Sequence, residues 1–234
     1  MEVASREFYW AAPLKGTVLV LEVTAETPGV MIRKGTLAAG SDSVTVNWGD
    51  GKRETLTASF NYLRHTYSRP GRYKVAISDD LREFAFTDSS QTAGQRNALV
   101  GVPSFGLKVT TIPGYGFNNC QKLEGVLELP SVTSIGSYTF GSTYKLSEFR
   151  LPSMTRLEET VFYWGPGASK LYADNVRSIG SQFWNYYGRR LTDVYLRGMT
   201  REEIKAMPGF PFVAPAGVRF YGSNGIVLSD GSFA

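Results

Sequence analysis

The segment Val132-Thr133-Ser134-Ile135-Gly136-Ser137-Tyr138-Thr139-Phe140 is the strongest indication of the fold of this chain, because its pattern returns at a fixed interval. Val109-Thr110-Thr111-Ile112 precedes it, and Met154-Thr155-Arg156-Leu157 and Val176-Arg177-Ser178-Ile179 follow it. These segments start at residues 109, 132, 154 and 176, so the steps are 23, 22 and 22 residues. Self-similarity at a period of this size is typical of a solenoid.

Two further apolar positions repeat with the same period. An aromatic residue stands five residues after each Ile or Leu, and a leucine follows it. The aromatic residues are Phe117, Phe140, Phe162 and Trp184. The leucines are Leu123, Leu146, Leu171 and Leu191. Because a unit of about 22 residues cannot bury its own apolar face, we predict that the units stack and share one continuous core.

The repeat resembles the BspA-like leucine-rich repeat, whose unit reads V-T-x-I-G-x-x-x-F-x-x-C-x-x-L-x-x-x-x-L-P. The segments Ile135-Gly136-Ser137-Tyr138-Thr139-Phe140 and Asn119-Cys120-Gln121-Lys122-Leu123 follow this unit closely. The resemblance spans residues 105–198 and implies that Cys120 is a buried core residue. In the third unit the interval from Leu157 to Leu171 is 14 residues, against 11 in the first two units. We therefore predict that Gly165-Pro166-Gly167 bulges out of the coil as a loop.

The last residues carry the signals of a cap for the open end of the solenoid. Thr200-Arg201-Glu202-Glu203 is a capping box that predicts a short helix through Met207. The segments Val218-Arg219-Phe220-Tyr221 and Ile226-Val227-Leu228 flank a Gly-Ser-Asn-Gly turn and predict a β-hairpin. A solenoid needs its last edge covered, and this tail can do so.

Strand signals dominate the first hundred residues. The run Val18-Leu19-Val20-Leu21-Glu22-Val23 is apolar and β-branched, which favours a strand. In Ser43-Val44-Thr45-Val46-Asn47-Trp48 polar and apolar residues alternate, so Val44, Val46 and Trp48 are expected on one buried face. Gly49-Asp50-Gly51 then predicts a turn.

This half resembles the polycystic-kidney-disease (PKD) domain, whose pattern is a W-G-D-G turn, an H-x-Y segment and a G-x-Y-x-V strand. The matching segments are Trp48-Gly49-Asp50-Gly51, His65-Thr66-Tyr67 and Gly71-Arg72-Tyr73-Lys74-Val75, within residues 15–90. The resemblance implies an immunoglobulin-like β-sandwich that serves as a spacer or binding module on extracellular proteins. It also implies that Asp50 orders the turn and that His65 packs and hydrogen-bonds near Trp48.

The expected fold is therefore mainly β, with an immunoglobulin-like sandwich followed by a short leucine-rich-repeat solenoid. We predict a PKD-like domain over residues 1–100, four BspA-like repeats over residues 101–198 and a helix and hairpin cap over residues 199–234. A chain of 234 residues is long enough for two such domains.

Charge and composition exclude several classes of protein. The formal net charge is +4, and no run of five like charges occurs, so no nucleic-acid partner is expected. No segment approaches 18 uninterrupted apolar residues, which argues against membrane insertion. The N-terminal residues show no signal peptide.

The sequence offers little for catalysis. It contains one histidine, His65, and one cysteine, Cys120, and both stand at structural positions of the two motifs. We expect no enzyme, no cofactor and no metal site. A calcium site using Asp50 with Asp79-Asp80 is the weak alternative, since these residues lack a regular spacing of oxygen ligands.

Aromatic and arginine side chains of the repeats are the candidate binding residues, because such residues are enriched in binding patches. The candidates are Tyr144, Tyr163, Trp164, Tyr172, Tyr186, Tyr187, Arg189 and Arg190. Tyr195 belongs to the same group of aromatics. The alternative is that several of them fill gaps in the solenoid.

The pair of resemblances predicts an extracellular or cell-surface adhesion module of a bacterium, which binds a host-derived protein or glycan through the solenoid. The alternative is a structural or receptor-binding protein of a bacteriophage or prophage, suggested by the unsignalled Met1. The sequence leaves the ligand and the oligomeric state open.

Overall fold

A computed structural model describes residues 16–158, 160–162, 165, 167–180, 183 and 190–234. The first half of the chain folds into antiparallel strands in a first sheet and a second sheet. The first sheet has the strand order β4 (Arg53–Leu56), β3 (Val44–Asn47), β6 (Gly71–Ser78), β1 (Gly16–Val23), β8 (Leu99–Ser104). The second sheet includes β7 (Leu81–Ala85), β2 (Gly29–Leu37) and β5 (Phe60–Thr66).

The predicted strands of this half are present with the expected faces. Val44, Val46 and Trp48 are fully buried, which confirms the alternation expected for β3. The nine-residue strand β2 has no alternating pattern and was not predicted, because apolar residues occupy three consecutive positions from Val30 to Ile32. Buried residues of both sheets belong to one apolar core.

The second sheet continues without a break into the repeats. Its strand order is β11 (Ser134–Ile135), β9 (Thr111–Ile112), β7, β2, β5. β7 pairs with β9 in parallel through Glu83 and Thr111. The first coil of the repeat thus extends a sheet that begins in the N-terminal half, and the apolar core is shared between them.

The repeats form a solenoid of about four turns. One side of the coil is a third sheet, in the order β10 (Glu124–Glu128), β12 (Lys145–Arg150), β14 (Lys170–Tyr172), β16 (Asp193–Tyr195), β17 (Arg219–Gly222), β18 (Gly225–Leu228). The other side carries β9 and β11, followed by the parallel pair β13 (Arg156–Leu157) and β15 (Ser178–Ile179).

The interior of the coil confirms the predicted apolar ladders. Buried side chains repeat at the predicted Ile/Leu positions, which are Ile112, Ile135, Leu157 and Ile179. The rings of Phe117, Phe140 and Phe162 stack from coil to coil, with centroid distances of 5.9 and 5.7 Å. In the fourth unit Phe183 packs edge-on against Phe162 at 5.0 Å, one residue before the predicted Trp184, which lies outside the described residues.

The insertion of the third unit does not bulge outward at its two glycines, contrary to the prediction. Gly165 is buried, and the Gly167 amide donates a hydrogen bond to the Thr143 carbonyl at 2.9 Å. A Cβ atom on Gly167 would lie 1.8 Å from the Tyr144 carbonyl oxygen. Because Gly167 has no side chain, the backbone can run close to the preceding coil. Pro166 lies outside the described residues.

The C-terminal cap confirms the predicted helix and hairpin. Helix α2 (Arg201–Lys205) follows α1 (Ala93–Asn97) in the chain and is opened by the capping box of Thr200 and Glu203. It ends two residues earlier than predicted. β17 lies in parallel beside β16, and β18 returns antiparallel to β17, so the hairpin covers the last edge of the coil. Neither of these described helices has the length and apolar character needed to cross a membrane.

Candidate binding surface

The third sheet turns one face to the core and the other outward, because side chains alternate along a strand. The middle residues of β14, β16 and β17 are buried: Leu171, Val194 and Phe220. Each is followed by a tyrosine on the opposite face, and these pair in register: Tyr172, Tyr195 and Tyr221. We call these three residues the tyrosine stack.

The rings of the tyrosine stack lie nearly parallel. Tyr172 and Tyr195 have ring centroids 4.3 Å apart and planes 3° apart. Tyr195 and Tyr221 are 4.5 Å and 16° apart. Each ring face inside the stack is therefore covered by a neighbouring ring, and a partner would meet ring edges and hydroxyl groups. Partial burial and the neighbouring Tyr172 raise the pKa of Tyr195 to about 12, so its hydroxyl stays neutral near neutral pH.

Arginine side chains surround the stack. The guanidinium of Arg150 lies 5.7 Å from the ring centroid of Tyr172, and that of Arg197 lies 5.7 Å from the ring centroid of Tyr195. Arg219 lies 6.0 Å from the ring centroid of Tyr221. These distances are within the range of cation–π attraction, which stabilises the ring positions.

Each of these arginines also pairs with a carboxylate. Arg197 donates hydrogen bonds to the Asp174 carboxylate from both Nε and Nη2, and Arg150 forms an ion pair with Glu148. The guanidinium of Arg219 donates to Asp193 at 2.7 Å. The outer face is therefore a surface of tyrosines and paired charges with little net charge of its own.

Asp193 is the most buried carboxylate of this surface, with 5% of the residue exposed. Tyr221 Oη donates to its Oδ1, and Thr192 Oγ1 donates to its Oδ2, both at 2.8 Å. Burial opposes ionisation, but these bonds together with Arg219 outweigh it and hold the pKa of Asp193 below its ordinary value. The charged form of Asp193 thus links β16 to β17.

Among the residues predicted from the sequence, the structure brings Tyr172 into the stack. Tyr144 lies outside the stack, with 48% of the residue exposed, and donates a hydrogen bond to Ser142 Oγ at 3.0 Å. Arg190 is exposed and belongs to no contact described above. The remaining candidates lie outside the described residues: Tyr163, Trp164, Tyr186, Tyr187 and Arg189.

The sequence prediction named Tyr172 and Tyr195 but missed the other residues of this surface, which are Arg150, Arg197, Arg219 and Tyr221. Arg150, Tyr172 and Tyr195 occupy one register position on successive strands, at steps of 22 and 23 residues. The repeat period could therefore have placed Arg150 beside the two tyrosines. Tyr221 follows Tyr195 by 26 residues, because the cap helix intervenes, so the period alone could not place it.

His65 and its neighbours occupy the positions that the turn motif implies. The His65 ring stacks on Trp48 and its Nε2 lies 2.9 Å from Asp50 Oδ2. Asp50 Oδ1 accepts from the Lys52 amide, and Tyr67 Oη donates to the Trp48 carbonyl at 2.9 Å. The predicted packing of His65 and the turn-ordering contact of Asp50 are confirmed.

Cys120 lies in the core, as predicted. It is fully buried, and this burial raises the pKa of its thiol. A thiol in this state is a poor nucleophile, because the thiolate is the reactive form.

The acidic residues considered for calcium have separate partners. Asp79 accepts from the Lys108 amide, and Asp80 contacts Ser41 and the Lys108 ammonium group. In the part of the chain that the structure describes, no group of three or more His, Cys, Asp or Glu side chains is placed to hold a metal ion.

Comparison with known proteins identifies the repeat. Residues 102–204 match the BspA type leucine rich repeat region in six copies, which confirms the resemblance of the repeats. The number of copies exceeds the four units predicted over residues 101–198. No curated protein and no solved structure matches the chain. The match covers somewhat less than half of the chain and begins at residue 102.

Proposed function

Starting from the BspA type repeats of residues 102–204, we propose that the chain is a non-catalytic module that binds a protein through the outer face of the third sheet. The observation that carries this proposal is the tyrosine stack with its surrounding arginines. Tyrosine and arginine dominate the residues whose truncation weakens protein interfaces most. Leucine-rich repeats are consistent with a protein-binding or adhesion module.

The geometry favours a protein over a glycan at this face. The ring faces inside the stack are covered by each other, so they offer no flat platform for a sugar ring. The exposed hydroxyls and the paired guanidinium groups suit the polar and aromatic contacts of a protein partner. A rigid stack also loses little side-chain entropy on binding.

The non-catalytic part of the proposal rests on where the reactive residues lie. His65 is buried against Trp48 and paired with Asp50, and Cys120 is buried in the coil. Neither residue belongs to the outer face of the third sheet. In this proposal His65 and Cys120 therefore contribute to the stability of the fold and not to binding.

We further propose that the N-terminal half is a PKD-like, immunoglobulin-like sandwich that presents the solenoid at a bacterial cell surface. The turn at Asp50, the packed His65 and the bond from Tyr67 to Trp48 support this assignment. The predicted boundaries at residues 100 and 198 remain part of the proposal, although β8 spans the first of them.

The test is a screen of the purified chain against arrays of extracellular-matrix proteins and of glycans, followed by affinity measurements on the proteins that bind. Tyr195→Ala is expected to weaken binding about tenfold or more, because Tyr195 is the centre of the stack. Tyr144→Ala is the matched control, since Tyr144 is exposed on the same solenoid but outside the stack. Failure to bind any matrix protein, or equal affinities of wild type and Tyr195→Ala, would contradict the proposal.

A further inference from the structure

A second aromatic surface lies where the second sheet meets the first coils, away from the tyrosine stack. Tyr62, Tyr115 and Tyr138 have φ angles of 60°, 63° and 59°. Bulky residues rarely adopt this left-handed conformation. Tyr115 and Tyr138 hold equivalent positions in successive coils, and Thr160, with a φ of 67°, continues the series, so at these two tyrosines the conformation belongs to the turn of the repeat. Tyr62 is 43% exposed and Tyr115 is 50% exposed, so the strained positions present aromatic rings to solvent.

Strand pairing and one hydrogen bond place these tyrosines in one row. The register pairs Ile32–Leu63 and Lys34–Asn61 place Arg33 opposite Tyr62 on the neighbouring strand. Arg33 Nη1 donates to the Gly114 carbonyl at 2.8 Å, next to Tyr115.

The two ends of the row are also in contact with their neighbours. The ring of Tyr115 stacks on that of Tyr138, with centroids 5.2 Å apart. At the other end the guanidinium of Arg64 lies 5.7 Å from the ring centroid of Tyr62. We call Arg64, Tyr62, Arg33, Tyr115 and Tyr138 the tyrosine–arginine row.

The charge of the row is positive. Within the described residues, no carboxylate lies within ion-pair distance of Arg33 or Arg64, although Asp88 accepts a hydrogen bond from Tyr62 and interacts with Arg33 at longer range. Asp88 is further engaged by Ser90, whose amide and hydroxyl both donate to it. Both guanidinium groups therefore retain donors for an external carboxylate.

We propose that the tyrosine–arginine row binds an extended oligosaccharide that carries carboxylate groups. Tyr138 covers one face of the Tyr115 ring, and Tyr115 is 50% exposed, so its other face can contact the apolar face of a sugar ring, unlike the ring faces inside the tyrosine stack. The guanidinium groups pair with carboxylates through parallel hydrogen bonds. An acidic sugar carries the two groups that such a surface can bind, an apolar ring face and a carboxylate. A nucleic acid fits less well, since two arginines beside Asp88 neutralise few phosphates.

The test uses the full chain and isothermal titration calorimetry with oligosaccharides of galacturonate, of glucuronate and of sialic acid. The methyl esters of the same compounds serve as uncharged ligands. We expect the wild type to bind at least one acid form and to bind its ester about fivefold to tenfold more weakly. Added salt is expected to weaken binding of the acid form.

Variants separate the row from other surfaces. Tyr115→Ala is expected to abolish detectable binding. Arg64→Gln is expected to weaken binding of the acid form and to leave binding of the ester unchanged, with part of the difference retained through Arg33. Tyr144→Ala is the control, because Tyr144 is 48% exposed and lies outside both the row and the tyrosine stack. Thermal unfolding of each variant shows whether it is folded, and Tyr115→Asn, which tolerates a positive φ, replaces Tyr115→Ala if that variant is unfolded.

Several results would overturn the proposal. These are no binding of any acidic oligosaccharide, equal binding of acid and ester, and unchanged affinity in a folded variant of Tyr115. Binding of an acidic peptide or a single-stranded oligonucleotide in place of the oligosaccharides would also overturn it.

Discussion

The ring of Trp48 lies 4.5 Å from the ring of His65, and the two planes differ by 7°. The edge of the same imidazole reaches Asp50, whose other oxygen accepts from the Lys52 amide. One buried imidazole thus connects the core of the first sheet to the turn that follows β3. This arrangement gives His65 a structural role.

We predict that His65→Ala lowers the free energy of unfolding by about 1–3 kcal/mol. The substitution removes the ring that stacks on Trp48 and leaves Asp50 with one hydrogen-bond partner fewer. Urea unfolding followed by tryptophan fluorescence measures the change. Lys52→Ala is a suitable control, because its side chain is exposed and the Asp50 contact uses the backbone amide. An unchanged unfolding midpoint in His65→Ala would contradict the structural role.

The contribution of Asp193 to the free energy of unfolding depends on pH in a defined direction. Its folded-state pKa is lower than its ordinary value, so its contribution to stability is complete above the unfolded-state pKa of about 3.9. That contribution is lost as the pH falls through the folded-state pKa. We therefore expect the difference in unfolding free energy between wild type and Asp193→Asn to be constant from about pH 7 to pH 5 and to shrink below about pH 4.

Chemical unfolding of both proteins across this pH range measures that difference. Comparing wild type with Asp193→Asn removes the effect of other carboxylates with lowered pKa values, such as Asp50 and Asp174. A difference that grows on acidification would show that the charged form of Asp193 does not stabilise the fold.

Phe140 is the centre of the buried ring ladder, between Phe117 and Phe162. We predict that Phe140→Ala lowers the free energy of unfolding by about 3–5 kcal/mol, because it leaves a cavity between coils. Tyr144→Ala, four residues later on the exposed surface, is expected to cost about 0.5 kcal/mol or less. Similar losses in the two variants would argue against a shared core of stacked coils.

Gly136 allows two coils to approach each other. A Cβ atom at this position would lie 2.3 Å from the Gly114 amide nitrogen of the preceding coil, and backbone cannot move aside easily. We predict that Gly136→Ala lowers the melting temperature by several degrees, since a cost of about 1–3 kcal/mol is typical of overpacking. Gly29→Ala is the control, because the nearest atom to its Cβ is the Thr66 hydroxyl at 3.9 Å. Equal melting temperatures of Gly136→Ala and wild type would mean that the two coils lie further apart at Gly136 than in the structure.

The repeat period predicted the solenoid and its interior because it records a physical requirement that recurs in every unit. Ile135, Phe140 and Leu146 each face the same core, so the pattern is visible in one sequence. The turn at Asp50 and the capping box of Thr200 were also predictable, since both depend on side chains a few residues apart. Strand β2 was not predictable, because a short continuous run of apolar residues occurs both in buried strands and in buried helices.

The candidate surface was only partly predictable. The sequence placed Tyr172 and Tyr195 among the surface aromatics, and their spacing equals one repeat. It did not reveal Tyr221 in the same stack, because the helix and turn before β17 break the period. The sequence also did not distinguish Tyr144, which lies outside the stack, from Tyr172, which lies within it.

The mainly β character, the stacked coils and the cap follow from the amino-acid order, because each depends on an apolar period or on contacts between near neighbours. The path of the second sheet from β5 into the first coils, and the bond from Arg33 to Gly114 across 81 residues, are visible only in the folded chain. The tertiary structure also decided which tyrosines stand together on each surface. Pairing between distant strands sets those neighbours, and local sequence contains no record of which strands will meet.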